Sequence, residues 1–167
     1  MASSRTEILA RIRRAKQRAL LPDVTGLTPP PPEPPPFDRP LIDVFEEALR
    51  AVQGAPHRCA TVEEVADLIA QQCRAQGQRE ALAWVDLPLP GLTQALQAQG
   101  VTLIPSRLTD PDRQANYAGM EHIMVGVTGA AAGLARTGSI VLHADRAHGR
   151  LASLLPDIHI ALLPIDR

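Results

Sequence analysis

The sequence predicts an α/β domain with a mainly parallel sheet, and three observations lead there. From residue 41 onward, short aliphatic runs alternate with amphipathic stretches, the order that lays strands in parallel with helices returning between them. Aromatic residues are only 2% of the chain, so the core must be built from Leu, Val, Ile and Ala, as suits helices packed on an aliphatic sheet. Helix starts and stops are punctuated by capping residues and glycines at matching intervals.

The elements follow in chain order. Residues 1–21 read as a basic amphipathic helix: Ser4-x-x-Glu7 fits a capping box, and Ile8, Ile12, Ala15 and Ala19 form a stripe. Residues 22–40 hold 9 of the 16 prolines and read as an extended, semi-rigid linker. The domain proper is expected over 41–167. Leu41 to Gln53 is a helix with Val44, Phe45 and Leu49 on one face and Gly54 after its end. Pro56 to Ala60 is expected as a short strand. Thr61-Val-Glu-Glu64 is a second capping-box pattern, opening a helix that points Val65, Ile69 and Cys73 inward and stops before Gly77. Ala81 to Val85 is a strand, Leu92 to Gln99 a helix closed by Gly100, and Val101 to Ile104 the next strand. His122 to Val127 is extended, and Ala130 to Ala135 is expected as a small-residue helix. A strand at Ser139 to His143, a helix around Ala147 to Leu154 and a strand at Ile158 to Leu163 complete the order.

Composition excludes several functions. No apolar run reaches the ~18 residues needed to span a bilayer, and no signal-peptide pattern opens the chain, so no membrane role is expected and the cytoplasm is the expected compartment. Too few rings are present to stack single-stranded nucleic acid. Net charge is -1, yet Arg5, Arg11, Arg13, Arg14, Lys16 and Arg18 stand against Glu7 alone in the first 20 residues. That +5 arm is read as docking on protein, a homo-oligomer through the N-terminal helix among the outcomes, and no nucleic-acid partner is expected. Cys59 and Cys73 are two free thiols, too few for a zinc or iron–sulfur site by themselves. No metal and no cofactor are assigned to the chain.

Chemistry concentrates in residues 126–142. Thr128 and Gly129 are expected at a strand-to-helix junction, where exposed backbone N–H groups hold anions. Thr137, Gly138 and Ser139 fall in a turn before a strand, adding donors. Together with Arg150, a carboxylate or phosphate clamp, they make a predicted anion site. The segment lacks G-x-G-x-x-G, and Ser139 stands where a P-loop needs lysine. The competing reading is that these glycines serve tight turns and close packing. His143-x-Asp145-x-x-His148 offers three metal-ligand types within six residues but straddles a strand end and a loop, where nothing aims them together.

Val127-Thr-Gly-Ala130, Ala135-Arg-Thr-Gly-Ser-Ile-Val-Leu142, Arg150-Leu-Ala-Ser-Leu-Leu-Pro156 and Ile158-His-Ile160 together resemble the signature of the LUD-domain proteins, specifically the LutC (YkgG-like) lactate-utilization type. Ile8-Leu-Ala-Arg-Ile-Arg13 looks like that family's opening helix. The resemblance implies a three-layer α/β/α domain of the NagB/RpiA/CoA-transferase-like kind. It also implies a component of a cytoplasmic system oxidising L-lactate to pyruvate with iron–sulfur partner proteins, accessory in role and able to bind a small carboxylate or phosphate. A small-molecule enzyme of the isomerase or CoA-transferase kind and a non-catalytic assembly module are the alternatives. Arg136 departs from the family, which usually has an acid before the Thr-Gly pair. Members also usually continue past the last strand into a C-terminal segment that this sequence lacks.

Overall fold

The computed structural model describes residues 4–18, 36–106, 117–145 and 148–165. They fall into two compact units, residues 1–36 and 37–167, each described by itself. In the first, helix α1 (Ser4–Arg18) forms over the expected amphipathic stretch, with Glu7 in its first turn. Most of the proline-rich segment and Ala19 lie outside the described residues.

The second unit runs α2 (Leu41–Ala51), α3 (Val62–Ala75), β1 (Glu80–Ala83), α4 (Leu92–Ala98), β2 (Thr102–Pro105) and β3 (Val125–Gly129). It continues with β4 (Ala132–Leu134), β5 (Ser139–Val141), α5 (Leu151–Leu154) and β6 (Ile158–Leu162). Four strands form a parallel sheet in the order β2-β1-β3-β6, while β4 and β5 make a separate antiparallel hairpin. Leu82 pairs with Gly126 and Val125 with Ile158, which fixes which side chains share a face.

Alternation on these strands builds two cores. Ala81, Ala83, Val125 and Val127 face α3 and α4, which bury Ile69, Ala70, Cys73, Leu92 and Leu96 against them. Leu82 points the other way, into a cluster with Trp84, Met120, Ile123 and Ala152 of α5. The sheet is therefore covered on both faces, the three-layer α/β/α arrangement. Gly126 makes the second layer possible. A Cβ there would lie 1.9 Å from the Ala152 carbonyl oxygen and 2.9 Å from Pro156, so only glycine lets α5 sit this close to the sheet.

Local signals acted where expected. Thr61 Oγ1 accepts the Glu64 N–H at 3.2 Å, and the Glu64 carboxylate accepts the N–H of Ala60 at 2.7 Å, a capping arrangement shifted back by one residue. Three expectations are corrected. Residues 56–60 form no strand; Pro56 has no N–H to give, and Arg58 is drawn onto Asp43 and Glu46 of α2. Residues 130–135 are not a helix. Ala131 gives its N–H to Val141, and Gly133 passes so close to Phe45 and Leu163 that a Cβ would lie 2.8 Å from the latter. Tertiary pairing thus overrides the helix propensity of the alanines. Of the helix expected around residues 147–154, Leu151–Leu154 is helical and residues 148–150 are not, while Ala147 lies outside the described residues.

Candidate functional site

In this strand order, β1 lies between β2 and β3, so the chain leaves β1 toward one side and β3 toward the other. The β1-to-β2 connection carries α4 on the Ala81/Ala83 face, and the β3-to-β6 connection carries α5 on the opposite face. Open α/β sheets bind ligands in the crevice that such a reversal leaves at the carboxyl ends of the strands. By that rule the crevice of this sheet falls at the carboxyl ends of β1 and β3.

Its walls come from three segments distant in sequence. Trp84, just past β1, keeps a backbone bond to β3 through its N–H to Val127 O at 3.2 Å. Its indole N–H donates to the Gly149 carbonyl at 2.9 Å, tying the end of β1 to the loop before α5. Gly129 closes β3; a Cβ there would lie 3.1 Å from Pro88 and 3.6 Å from the Trp84 ring, so the strand end nestles against both. His148 packs its ring edge-on to Trp84, with centroids 4.6 Å apart.

His148 carries the strongest electrostatics of the crevice. Its Nδ1 is 3.0 Å from Asp145 Oδ1, an oxygen that also accepts the His148 backbone N–H at 2.8 Å. Its Nε2 is 2.9 Å from Asp86 Oδ1, beyond β1. The Asp145 hydrogen bond, with Asp86 added, holds the imidazole above its ordinary value and favours the imidazolium. The carboxylates occupy opposite ring nitrogens and so bracket the ring instead of converging on one point. Among the described residues, no group of three or more His, Cys, Asp or Glu is placed to hold a metal ion.

The sequence-predicted anion residues are divided by the fold. Thr128 is fully buried on β3, and its Oγ1 lies 2.8 Å from His159 Nε2 on the neighbouring strand. One edge of the His159 ring is open, but the Nε2 edge lies against buried Thr128, and this desolvation pushes the imidazole below its ordinary value. With Nε2 unprotonated, the neutral His159 accepts a hydrogen bond from the Thr128 hydroxyl; in the other tautomer its Nε2–H donates to that oxygen. No helix follows Gly129: the Ala130 N–H goes to Leu162 O and the Ala131 N–H to Val141 O. The backbone donors expected at a helix N-terminus there are consumed.

Thr137, Gly138 and Ser139 lie at the tip of the β4–β5 hairpin instead. The N–H groups of Thr137 and Gly138 both bond Leu134 O, and the Thr137 hydroxyl donates to Ser139 Oγ at 2.9 Å. Gly138 has φ +65°, and a Cβ on it would lie 2.4 Å from the Leu49 backbone nitrogen. The hairpin thus rests directly on the backbone of α2. Arg136, in the same turn, stacks its guanidinium 4.6 Å from the Phe37 ring centre. Arg150 is exposed at the head of α5, next in the chain to the carbonyl that holds Trp84.

Neither cysteine is activated. Burial pushes both the Cys59 and Cys73 thiols up, which disfavours the thiolate needed for nucleophilic attack. An open polar depression bordered by Gln78, Glu80 and His122 lies at the amino ends of the strands, remote from the crevice. Sequence reasoning missed Trp84 and Asp86. Their signal was a lone tryptophan and an acid just after the first strand of the sheet.

Comparison with known proteins gives two matches. The LUD domain family model matches residues 42–167. A protein of Macrococcus caseolyticus (strain JCSC5402), lactate utilization protein C, is 29% identical over 104 residues, covering 62% of this chain and 43% of that protein. The chain thus spans under half the length of this curated relative. No solved structure matches. Among the described residues, no helix is long and apolar enough to cross a membrane.

Proposed function

The chain belongs to the LUD-domain family, and from that premise we propose that it is a LutC-like component of a cytoplasmic system oxidising L-lactate to pyruvate. The observation that carries this reading is the relative named lactate utilization protein C, matched across most of the chain. In this reading a small carboxylate binds at the carboxyl ends of β1 and β3, beside the Pro88 and Trp84 that cover Gly129. Arg150, beside the Gly149 carbonyl, is the cation that meets it. Thr128 acts from beneath, holding β6 to β3 through His159. The Thr137, Gly138 and Ser139 turn shapes the hairpin that follows β3.

Converting lactate to pyruvate removes two electrons and two protons, and the electrons need a flavin, a nicotinamide or a metal cluster to receive them. Cys59 and Cys73 are two thiols where a cluster normally takes four. In this reading the electron carrier belongs to iron–sulfur partner proteins, and the role of this chain is accessory: it binds and orients. The helix over Ser4–Arg18, with Ile8 and Ile12 one turn apart and basic residues along its sequence, is the element read as docking, on a sister subunit or on those partners.

Deletion of the gene in its host tests the proposal. Growth with L-lactate as sole carbon source should be lost, growth on pyruvate kept, and a restored copy should rescue the first. Undiminished growth of the deletion strain on lactate overturns it.

A further inference from the structure

We propose that Asp86, His148 and Asp145 form a proton-operated latch across the crevice, closed by the imidazolium and released when its proton leaves. The latch joins segments that share no strand pairing. Asp86 belongs to the connection leaving β1, and Asp145 and His148 to the connection entering α5. Both ring nitrogens of His148 face carboxylate oxygens, at 2.9 and 3.0 Å. A carboxylate offers only acceptors, so both contacts are hydrogen bonds only when both nitrogens carry protons. A neutral imidazole has one N–H, and its other nitrogen then turns a lone pair toward an anionic oxygen.

Which contact fails follows from the surroundings. Asp145 accepts from the backbone N–H of His148 as well as facing Nδ1, and the backbone bond needs no charge on the ring. Asp86 has the Nε2 contact, and its side chain is 68% exposed against 44% for Asp145 and 23% for His148. Water replaces the lost partner of Asp86 at little cost. The neutral tautomer therefore keeps its proton on Nδ1, stays with Asp145 and lets Asp86 go. Asp86 and Asp145 are the charged groups acting on His148 among the described residues, and both raise its pKa.

Release alters the mouth of the crevice. The Asp86 carboxylate turns to solvent, and Nε2 becomes an acceptor aimed where Asp86 had been. Trp84 remains tied to Gly149 through its indole N–H, so the floor stays in place while the rim opens. Trp84 also reports the event. It is the one tryptophan of the chain, its side chain is buried, and its ring touches His148.

The experiment follows Trp84 emission and its quenching by acrylamide from pH 5 to 9, in the full chain without added ligand. The wild type should titrate with a midpoint above that of an ordinary histidine, and quenching should rise as the latch opens. Asp86→Ala, at an exposed position, removes both the charge and the hydrogen bond, so it should move the midpoint to lower pH and leave quenching high on both sides of it. His148→Gln, checked for fold by circular dichroism, should remove the titration. Emission that does not titrate, a midpoint at or below that of free histidine, or a midpoint unmoved in Asp86→Ala overturns the latch. No lactate enters this assay, so its failure leaves the lactate reading standing, and the growth test leaves the latch standing.

Discussion

Replacing Gly138 by alanine isolates the contact on which the β4–β5 hairpin rests. Two costs add at this position. The backbone sits at φ +65°, in the left-handed region, where a side chain costs roughly 1–2 kcal/mol. The new Cβ would also lie 2.4 Å from Leu49 N and 2.6 Å from both Ala48 C and Leu49 Cα. These are backbone atoms in the last turn of α2 and cannot rotate away, so the hairpin or the helix must shift, at about 1–3 kcal/mol. The sum, about 2–5 kcal/mol, is a large share of the ~5–15 kcal/mol that holds a domain folded. It should lower Tm by on the order of 10 °C. Gly77→Ala is the matched control. Its φ is +68°, but nothing lies within 4 Å of its Cβ position, so it bears only the backbone cost. Thermal and urea unfolding of both variants would separate the two terms. Equal destabilisation by Gly77→Ala and Gly138→Ala would refute the packing argument, and an unchanged Tm in Gly138→Ala would refute both.

Two further outcomes are expected. Gly126→Ala should lift α5 from the sheet, because its Cβ meets the Ala152 carbonyl; Tm should fall and Trp84 emission should shift to the red, and a native emission maximum would count against it. The two perturbed histidines should give opposite pH dependences of stability. His159 is depressed, so the unfolded chain binds its proton more readily, and stability falls as the pH drops below about 6.5. His148 is raised, so its stabilisation is complete below about 6.5 and is lost as the pH climbs through its folded value. Urea unfolding at pH 5.5, 7 and 8.5 should show His159→Gln less acid-sensitive than wild type; an unchanged acid slope would remove that role.

Much of the framework was legible in residue order alone. The capping pattern at Thr61 and Glu64, the glycines after α3 and α4 and the aliphatic runs of β1 and β2 act within a few residues. Such signals survive without knowledge of the rest of the fold. The motif from Val127 to Leu142 pointed to the family for the same reason, being contiguous. Gly138 was also readable, as a turn glycine crowded by neighbouring backbone.

The candidate site was not, because its parts are joined by pairing between distant strands. Residues 130–135 look helical by composition, yet β5 claims their N–H groups, and only the fold supplies β5. Trp84, Asp86, Gly129 and His148 carry no common spacing. They meet because β1 and β3 pair side by side and their connections leave on opposite faces of the sheet. Sequence alone determined the layers, most of the elements and the family. The tertiary structure decided where the crevice lies and which carboxylates flank His148, since pairing of Leu82 with Gly126, 44 positions on, has no local signature.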